Sequence, residues 1–277
     1  MPAALFFCAA VAAGFIGALD GIGGGLLLTP ILTAFGADIR EAIAIGALSG
    51  VVISSAASPS FLRHHLPNLK AGAFLELCTI TGALIGAVFT RVVNRHFLLL
   101  FCGSTVLISG LALWKTWRHK EKLPALGEGI LLRGTMLVGS YYDSAEGKTI
   151  LYEGRRSFFG GFCMFAVGFI AGLLGGGGGV FIVLVCDLVM GFPTKVSIAM
   201  STLMIGVIAL ASLSIYLEMG LINVRWMIPA IFGIFLGAFW GAKMLRQLKG
   251  WMVRGVFLCV LTVLGVRMIC GGMGWVR

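Results

Sequence analysis

Charge is what this chain has least of. Only 12% of its 277 residues are charged, and only 11 residues are acidic. Soluble domains carry about 25% charged residues, so no water-facing shell can be built around a chain that is 59% hydrophobic. Histidine is almost as scarce. His64, His65, His96 and His119 all fall at the ends of apolar segments among basic residues, without an HExxH pattern that would hold a hydrolytic zinc. The seven cysteines include no CxxC pair. Each lies in or at the end of an apolar run, which excludes a disulfide frame and reads as packing. No glycine-rich run is followed by the Lys-Ser/Thr of a P-loop, so ATP-driven transport within this chain is not expected. No cofactor and no metal site are expected.

What remains is hydrophobic length. Mean hydropathy is +1.02, and the apolar residues come in runs rather than in a 3.6-residue stripe, as helices surrounded by lipid or by one another require. Segments long enough to cross a bilayer run over about 41–62, 71–90, 96–117, 196–217, 226–245 and 251–270. Two longer ones, 3–35 and 157–190, are interrupted by glycine. The fold class expected is an all-α integral membrane protein of about eight hydrophobic segments. The formal charge of +10 does not point to nucleic acid, because Lys and Arg sit in the short gaps between apolar runs, where membrane topology places them. The lipid bilayer is the expected partner. Ala3 to Leu19 lacks a basic leader region and is repeated internally, so it is kept as mature structure.

The repeat is direct. Residues Gly14 to Gly25 align with Gly168 to Gly179 at a constant offset of 154, with eight of twelve positions identical. Gly36 and Arg40 match Gly191 and Lys195 after a one-residue slip, and Gly82 to Ala87 match Gly233 to Ala238. The chain therefore divides into a first membrane repeat, 1–117, a polar linker, 118–156, and a second repeat, 157–277. Duplicated hydrophobic units are a signature of secondary transporters. The linker is placed in the cytoplasm and reads either as a solvated tether or as a surface β-hairpin around Ser144 to Lys148.

Two membrane arrangements are open. If all eight segments cross, with the N-terminus inside, the 21 Lys and Arg divide 13 inside and 8 outside. If the glycine-broken segments are re-entrant hairpins and the N-terminus is outside, the division is 15 to 6. The second follows the positive-inside tendency better and makes the repeats inverted.

The breaks themselves, Gly21-Ile22-Gly23-Gly24-Gly25 and Gly175 to Gly179, carry the functional argument. Each glycine costs about 1 kcal/mol in a helix relative to alanine, so five nearly contiguous ones end it. Bare backbone survives at membrane depth only beside protein or a watery cavity. The helix restarting after each break presents unpaired N–H groups and a positive dipole end, a site for a small anion. The substrate-binding candidates are Gly21, Gly23, Gly24, Gly25, Gly176, Gly177, Gly178 and Gly179. Hydroxyl donors join them: Ser49 and Ser54 with Ser55 in the first half, and Ser201 and Thr202 with Ser197 in the second. Serine and threonine in such helices also bond to their own preceding turn. The spaced pairs Gly82/Gly86 and Gly233/Gly237 read as helix-packing contacts. Of the rare intramembrane acids, Asp20 and Glu76 are the proton-coupling candidates; Asp187 is a further acid at membrane depth, and Glu218 lies near a helix end. Asp20 also reads as a cap for the broken helix. Arg40 and Lys195 occupy matching positions, either as anion attractors or as solvated end charges.

These paired motifs, Gly21 to Gly25 with Pro30 and Ala44 to Ser49, then Gly175 to Gly179 with Ala199 to Leu203, resemble the sulfite exporter TauE/SafE family over nearly the whole chain. The resemblance implies a two-halved membrane transporter moving sulfite, thiosulfate, sulfoacetate or related organosulfonates, usually outward. One departure is that Pro30 aligns with Leu184, which makes the two breaks unequal. The expected function is a secondary transporter of a small sulfur-containing anion, multi-pass in the plasma (inner) membrane, with a proton or another cation as coupling partner. The alternatives are a passive anion channel and, less well matched to the residues, an intramembrane enzyme. Nothing in the sequence sets the oligomeric state.

Overall fold

The computed structural model describes residues 3–20, 23–63, 67–118, 138–143, 148–153, 157–244 and 251–273. In the first half these form α1 (Ala3–Asp20), α2 (Gly25–Ala34), α3 (Ile39–Arg63), α4 (Leu69–Phe89) and α5 (Arg95–Arg118). A pair of strands, β1 (Val138–Asp143) and β2 (Lys148–Glu153), follows in the linker. The second half comprises α6 (Ser157–Leu174), α7 (Gly179–Leu184), α8 (Thr194–Glu218), α9 (Val224–Met244) and α10 (Trp251–Gly272). α7 runs without a gap into a π-helical turn, Val185–Val189. Five helices, α3, α4, α5, α8 and α9, are long and apolar enough over their described residues to cross a membrane. The chain is an all-α membrane protein.

Each glycine-broken segment doubles back. In the first half the Phe6 ring, near the start of α1, stands 6.1 Å from the Phe35 ring just past α2. In the second, a methyl group on Gly160 would lie 3.0 Å from Met190 Sδ, so the chain beyond α7 has returned to the beginning of α6. Both returns end on a glycine in the left-handed region, Gly36 at φ +90° and Gly191 at φ +74°, where side chains are disfavoured. The matched glycines across the one-residue slip thus close matched turns.

The packing of one half is repeated by the other with the halves exchanged. α1 packs on α9 and α6 packs on α4; α3 touches α9 and α8 touches α4; α2 meets α10 and α7 meets α5. α3 and α8 pack on each other, as do α5 and α10. Neither half is therefore a separate domain, since the first helix of each lies against the fourth helix of the other. Glycine spacing makes these contacts close. Methyl groups on Gly82 and Gly86 of α4 would overlap the Phe165 and Phe169 carbonyls of α6, and on Gly237 and Gly241 of α9 those of Val11 and Phe15 of α1. Helices that lack a hydrophobic drive within lipid associate through such backbone approach.

α3 and α8 form the centre. Ser49, Ser54, Ser58, Ser197, Ser201, Thr202 and Ser212 on them are all buried, whereas α4 and α9 turn Leu77, Ile85, Val88, Phe232, Phe239 and Trp240 outward. An apolar outer face is what lipid requires. At the end of α8 the buried Tyr216 donates its phenol hydroxyl to the Gly172 carbonyl of α6. Tyr216→Phe leaves that carbonyl without its donor, and a loss of about 1–3 kcal/mol is expected. A lowered midpoint in thermal unfolding of the detergent-solubilised protein, with the oligomer profile unchanged, checks this.

The two strands pair antiparallel from Val138↔Glu153 to Asp143↔Lys148; the connecting residues 144–147 lie outside the described residues. Tyr152, buried on β2, packs edge-on against Phe192 with ring centroids 5.6 Å apart. The linker is thereby docked on the turn between α7 and α8.

Charged residues sort by end. The Arg40 guanidinium donates to the Val93 carbonyl at 3.1 Å, Arg95 pairs with Asp38 at 3.6 Å, Arg91 with Glu218 at 3.6 Å, and Arg267 donates to the Ala34 carbonyl at 3.0 Å. Trp226, next to Arg225, stacks edge-on with Phe6 at 5.3 Å. The α2–α3, α4–α5 and α8–α9 connections and the described end of α10 therefore share one end of the bundle.

Candidate functional site: two glycine breaks in contact

The breaks meet each other where α3 and α8 cross. Gly23 (φ +80°) faces Gly176 (φ +75°): a methyl group on Gly23 would stand 2.9 Å from the Gly176 carbonyl oxygen. One on Gly25 would overlap the Gly175 carbonyl and lie 3.2 Å from the Gly177 amide nitrogen. One on Gly177 would come 3.3 Å from the Leu26 amide nitrogen. No residue larger than glycine fits at Gly23 or Gly25. Gly46 of α3 forms one wall, since a methyl on it would lie 3.0 Å from the Gly175 carbonyl oxygen and 2.6 Å from Thr29 Oγ1. Ile205 and Ala209 of α8 approach from the other side, against Gly23, Gly50 and Gly176. Gly50 and Ile205 are equivalent positions under the offset of 155, so the axis relating the halves passes through this crossing.

Each break opens a half-helix whose first residues lack a side-chain cap. Gly24 precedes α2 and Gly178 precedes α7, and neither has a side chain to accept from the first turn. Backbone carbonyls of these caps take the amides of Leu28 at 2.8 Å and Ile182 at 3.1 Å. The earliest amides of a helix have no acceptor within it, and here they begin at the buried meeting point of the two breaks. The half-helices are themselves unequal. α2 carries Pro30 in its interior, which removes one helical donor, while α7 is loosened instead by its π turn.

The predicted residues fall into three groups. Gly23, Gly24, Gly25, Gly176, Gly177, Gly178 and Gly179 are buried and belong to the two breaks; Gly21 lies outside the described residues, as do His64, His65 and His119. Ser49 stands beside this contact, with its Oγ 3.0 Å from a methyl placed on Gly24. The other hydroxyls are engaged elsewhere. Ser54 faces Gly206 on α8 and shares a hydrogen bond with Ser58 at 3.2 Å. Ser55 donates to the Val51 carbonyl at 2.8 Å. Ser201 and Thr202 both donate to the Ile198 carbonyl, at 3.0 and 2.9 Å; Ser49 itself donates to Gly46 at 2.5 Å.

Asp20 closes α1 immediately before the first break. Glu76 sits on α4, ten residues before Gly86, whose α6 neighbours are Phe169 and Leu173. That is ~15 Å along the helix from the turn that approaches the second break. Glu76 Oε1 is buried without a hydrogen-bond partner among the described residues. Thr29 and Gly46 were missed as components. Thr29 Oγ1 donates to the Ala42 carbonyl at 3.4 Å, tying α2 to α3, and only the small-residue run Ala42 to Gly50 hinted at so close an approach.

Set against known proteins, the chain matches the description Sulfite exporter TauE/SafE over residues 6–268. The chain belongs to the sulfite exporter TauE/SafE family. Among relatives, it is 25% identical over 269 residues to a Bacillus subtilis protein named Probable membrane transporter protein YunE, covering 94% of this chain and 95% of that one. A Haemophilus influenzae protein named Probable membrane transporter protein is 25% identical over 274 residues, 98% of this chain and 96% of that one. Escherichia coli K12 Probable membrane transporter protein YfcA is 24% identical over 270 residues, 98% and 90%. No solved structure matches the chain. Like these family members, it is a multi-pass membrane transporter.

Proposed function

We propose that this TauE/SafE protein is a secondary transporter, working as an exporter in the plasma (inner) membrane, for a small sulfur-containing anion such as sulfite, thiosulfate or an organosulfonate. The observation that supports it most is the direct contact of the two glycine breaks at the crossing of α3 and α8. The anion would bind between them, held by first-turn amides of α2 and α7 and by Ser49 once its hydroxyl turns from the Gly46 carbonyl, without a buried lysine. A site of dipole ends and one hydroxyl suits an anion that must also be released.

The contact is too tight for even a methyl group at Gly25, so binding requires the breaks to part. Two hairpins, each rooted at its own end of the bundle, offer the means. With both re-entrant, the halves are inverted, and parting from one end or the other exposes the site to one side at a time. Of the two proton-coupling candidates this reading uses Asp20, which adjoins the first break, and not Glu76, which stands ~15 Å off along α4.

The test is thermal stabilisation of the purified protein by sulfite, thiosulfate and sulfoacetate, with sulfate and carboxylates as controls. Preferential stabilisation by one sulfur anion is expected, with at least a tenfold weaker apparent affinity in Gly24→Ala, whose methyl would lie 2.7 Å from Ile53 Cδ1 and 3.0 Å from Ser49 Oγ. An equal response to every anion, or the same affinity in the variant, would sink the proposed site.

A further inference from the structure

The duplication is broken at one place in a way that the anion site does not use. Between the breaks and the turns that follow them the offset between halves changes from 154 to 155, so the second half has gained one residue. The structure takes up that residue as the π turn Val185–Val189. A single extra residue in an α-helix produces such a turn, and π turns are frequent at functional sites. Here it makes two successive residues, Cys186 and Asp187, both buried; on α2 of the first half, the matching stretch is regular and holds Leu32 and Thr33.

A second polar residue is peculiar to this half. Ser197, on the first turns of α8, is fully buried, and its Oγ has no hydrogen-bond partner among the described residues; its counterpart at the 155 offset is Ala42. Ser201, Thr202 and Ser212 on the same helix all satisfy themselves on a preceding carbonyl. Ser197 and Asp187 flank the short connection 190–193. That connection is folded tightly back on the turn: the Met190 amide donates to Val185 at 3.0 Å and the Phe192 amide to Cys186 at 2.9 Å. Cys186, Met190, Phe192 and Val196, their chain neighbours, all lie in one apolar cluster, and the π turn packs on α8.

We infer that the base of the second hairpin is a binding site for a monovalent cation of the size of Na⁺, formed by the Asp187 carboxylate, the Ser197 hydroxyl and the last carbonyls of the π turn. All the donors are hard oxygens, the kind that alkali and alkaline-earth cations take. One carboxylate balances one positive charge. The carbonyls that end a helix are its negative pole and favour a cation. Exposed Lys195, two residues from Ser197, is the competing cation, and its ammonium would occupy the carboxylate if no ion does. The site rests on the transporter reading only for its biological use, since its detection needs no anion.

The experiment is thermal unfolding of the full-length protein in detergent with NaCl or with choline chloride at equal ionic strength and fixed pH, without any sulfur anion. Wild type is expected to gain about 2–4 °C with Na⁺, as one bound ligand gives a chain of this size. Asp187→Asn and Ser197→Ala should lose that gain, while Thr33→Ala, at the matching place in the first half, keeps it. A gain that survives in Asp187→Asn, or wild type indifferent to Na⁺, overturns the site. A response to pH alone that Asp187→Asn removes replaces the sodium ion by a proton and overturns it equally. Neither failure touches the anion site between the breaks.

Discussion

Gly175→Ala is expected to destabilise the protein by roughly 2–5 kcal/mol, and Gly191→Ala by only about 1–2 kcal/mol, although both force the same backbone strain. Gly175 has φ +66° and Gly191 φ +74°, a region that costs an L-residue about 1–2 kcal/mol. The difference lies in what surrounds them. A methyl group on Gly191 meets nothing within 4 Å among the described residues, whereas one on Gly175 would overlap the Ile43 carbonyl, with Ile43 Cα at 3.0 Å. Relief requires α3 and the second break to separate, and overpacking of that kind costs about 1–3 kcal/mol more. Paired thermal-unfolding midpoints measure the gap, with about 2–4 °C expected for each kcal/mol in a chain of this size. Equal midpoints for the two variants would mean that the breaks are not held against α3 and that no tight site exists there.

The second large effect is all-or-none. In a cysteine-free background, a single cysteine at position 225 is expected to react with a membrane-impermeant thiol reagent on intact cells. One at position 195 should react only after the membrane is opened. Eight crossings would reverse both outcomes, because they place Arg225 inside and Lys195 outside. Arg95 and Lys70 serve as controls, outside and inside in either arrangement. All four positions are exposed in the fold. The expectation follows from the end of the bundle where Phe6 meets Phe35 and Arg267 meets Ala34, since segments that crossed eight times would put those pairs on opposite faces. Orientation then follows from the excess of basic residues on the other side.

Much of this was legible in the residues. Scarcity of charge and the length of the apolar runs already require an all-α membrane protein, because in lipid the backbone must satisfy itself within each segment. The repeat, its two breaks and the packing glycines are visible because duplication preserves residue identity at a fixed offset, and glycine has few other reasons to cluster. The hydroxyls were less legible. Ser54, Ser201 and Thr202 look like anion donors in a sequence, yet a hydroxyl can turn to the carbonyl three or four residues back, as Ser201 and Thr202 do, or to a neighbouring hydroxyl, as Ser54 does to Ser58. Glu76 had the same chemistry as Asp20 on paper, and only its helix, α4, separates it from the breaks.

By itself, then, the sequence determined the solvent, the helices, the twofold repetition and the places where helices must stop, all of which depend on neighbours along the chain. Tertiary structure alone decided that each half's first helix lies on the other half's fourth, that the breaks touch, and that one inserted residue became a π turn carrying a buried acid. Those depend on which carbonyl a glycine lets approach from elsewhere in the fold, and such long-range backbone contacts leave no periodicity for a reader of residues to find.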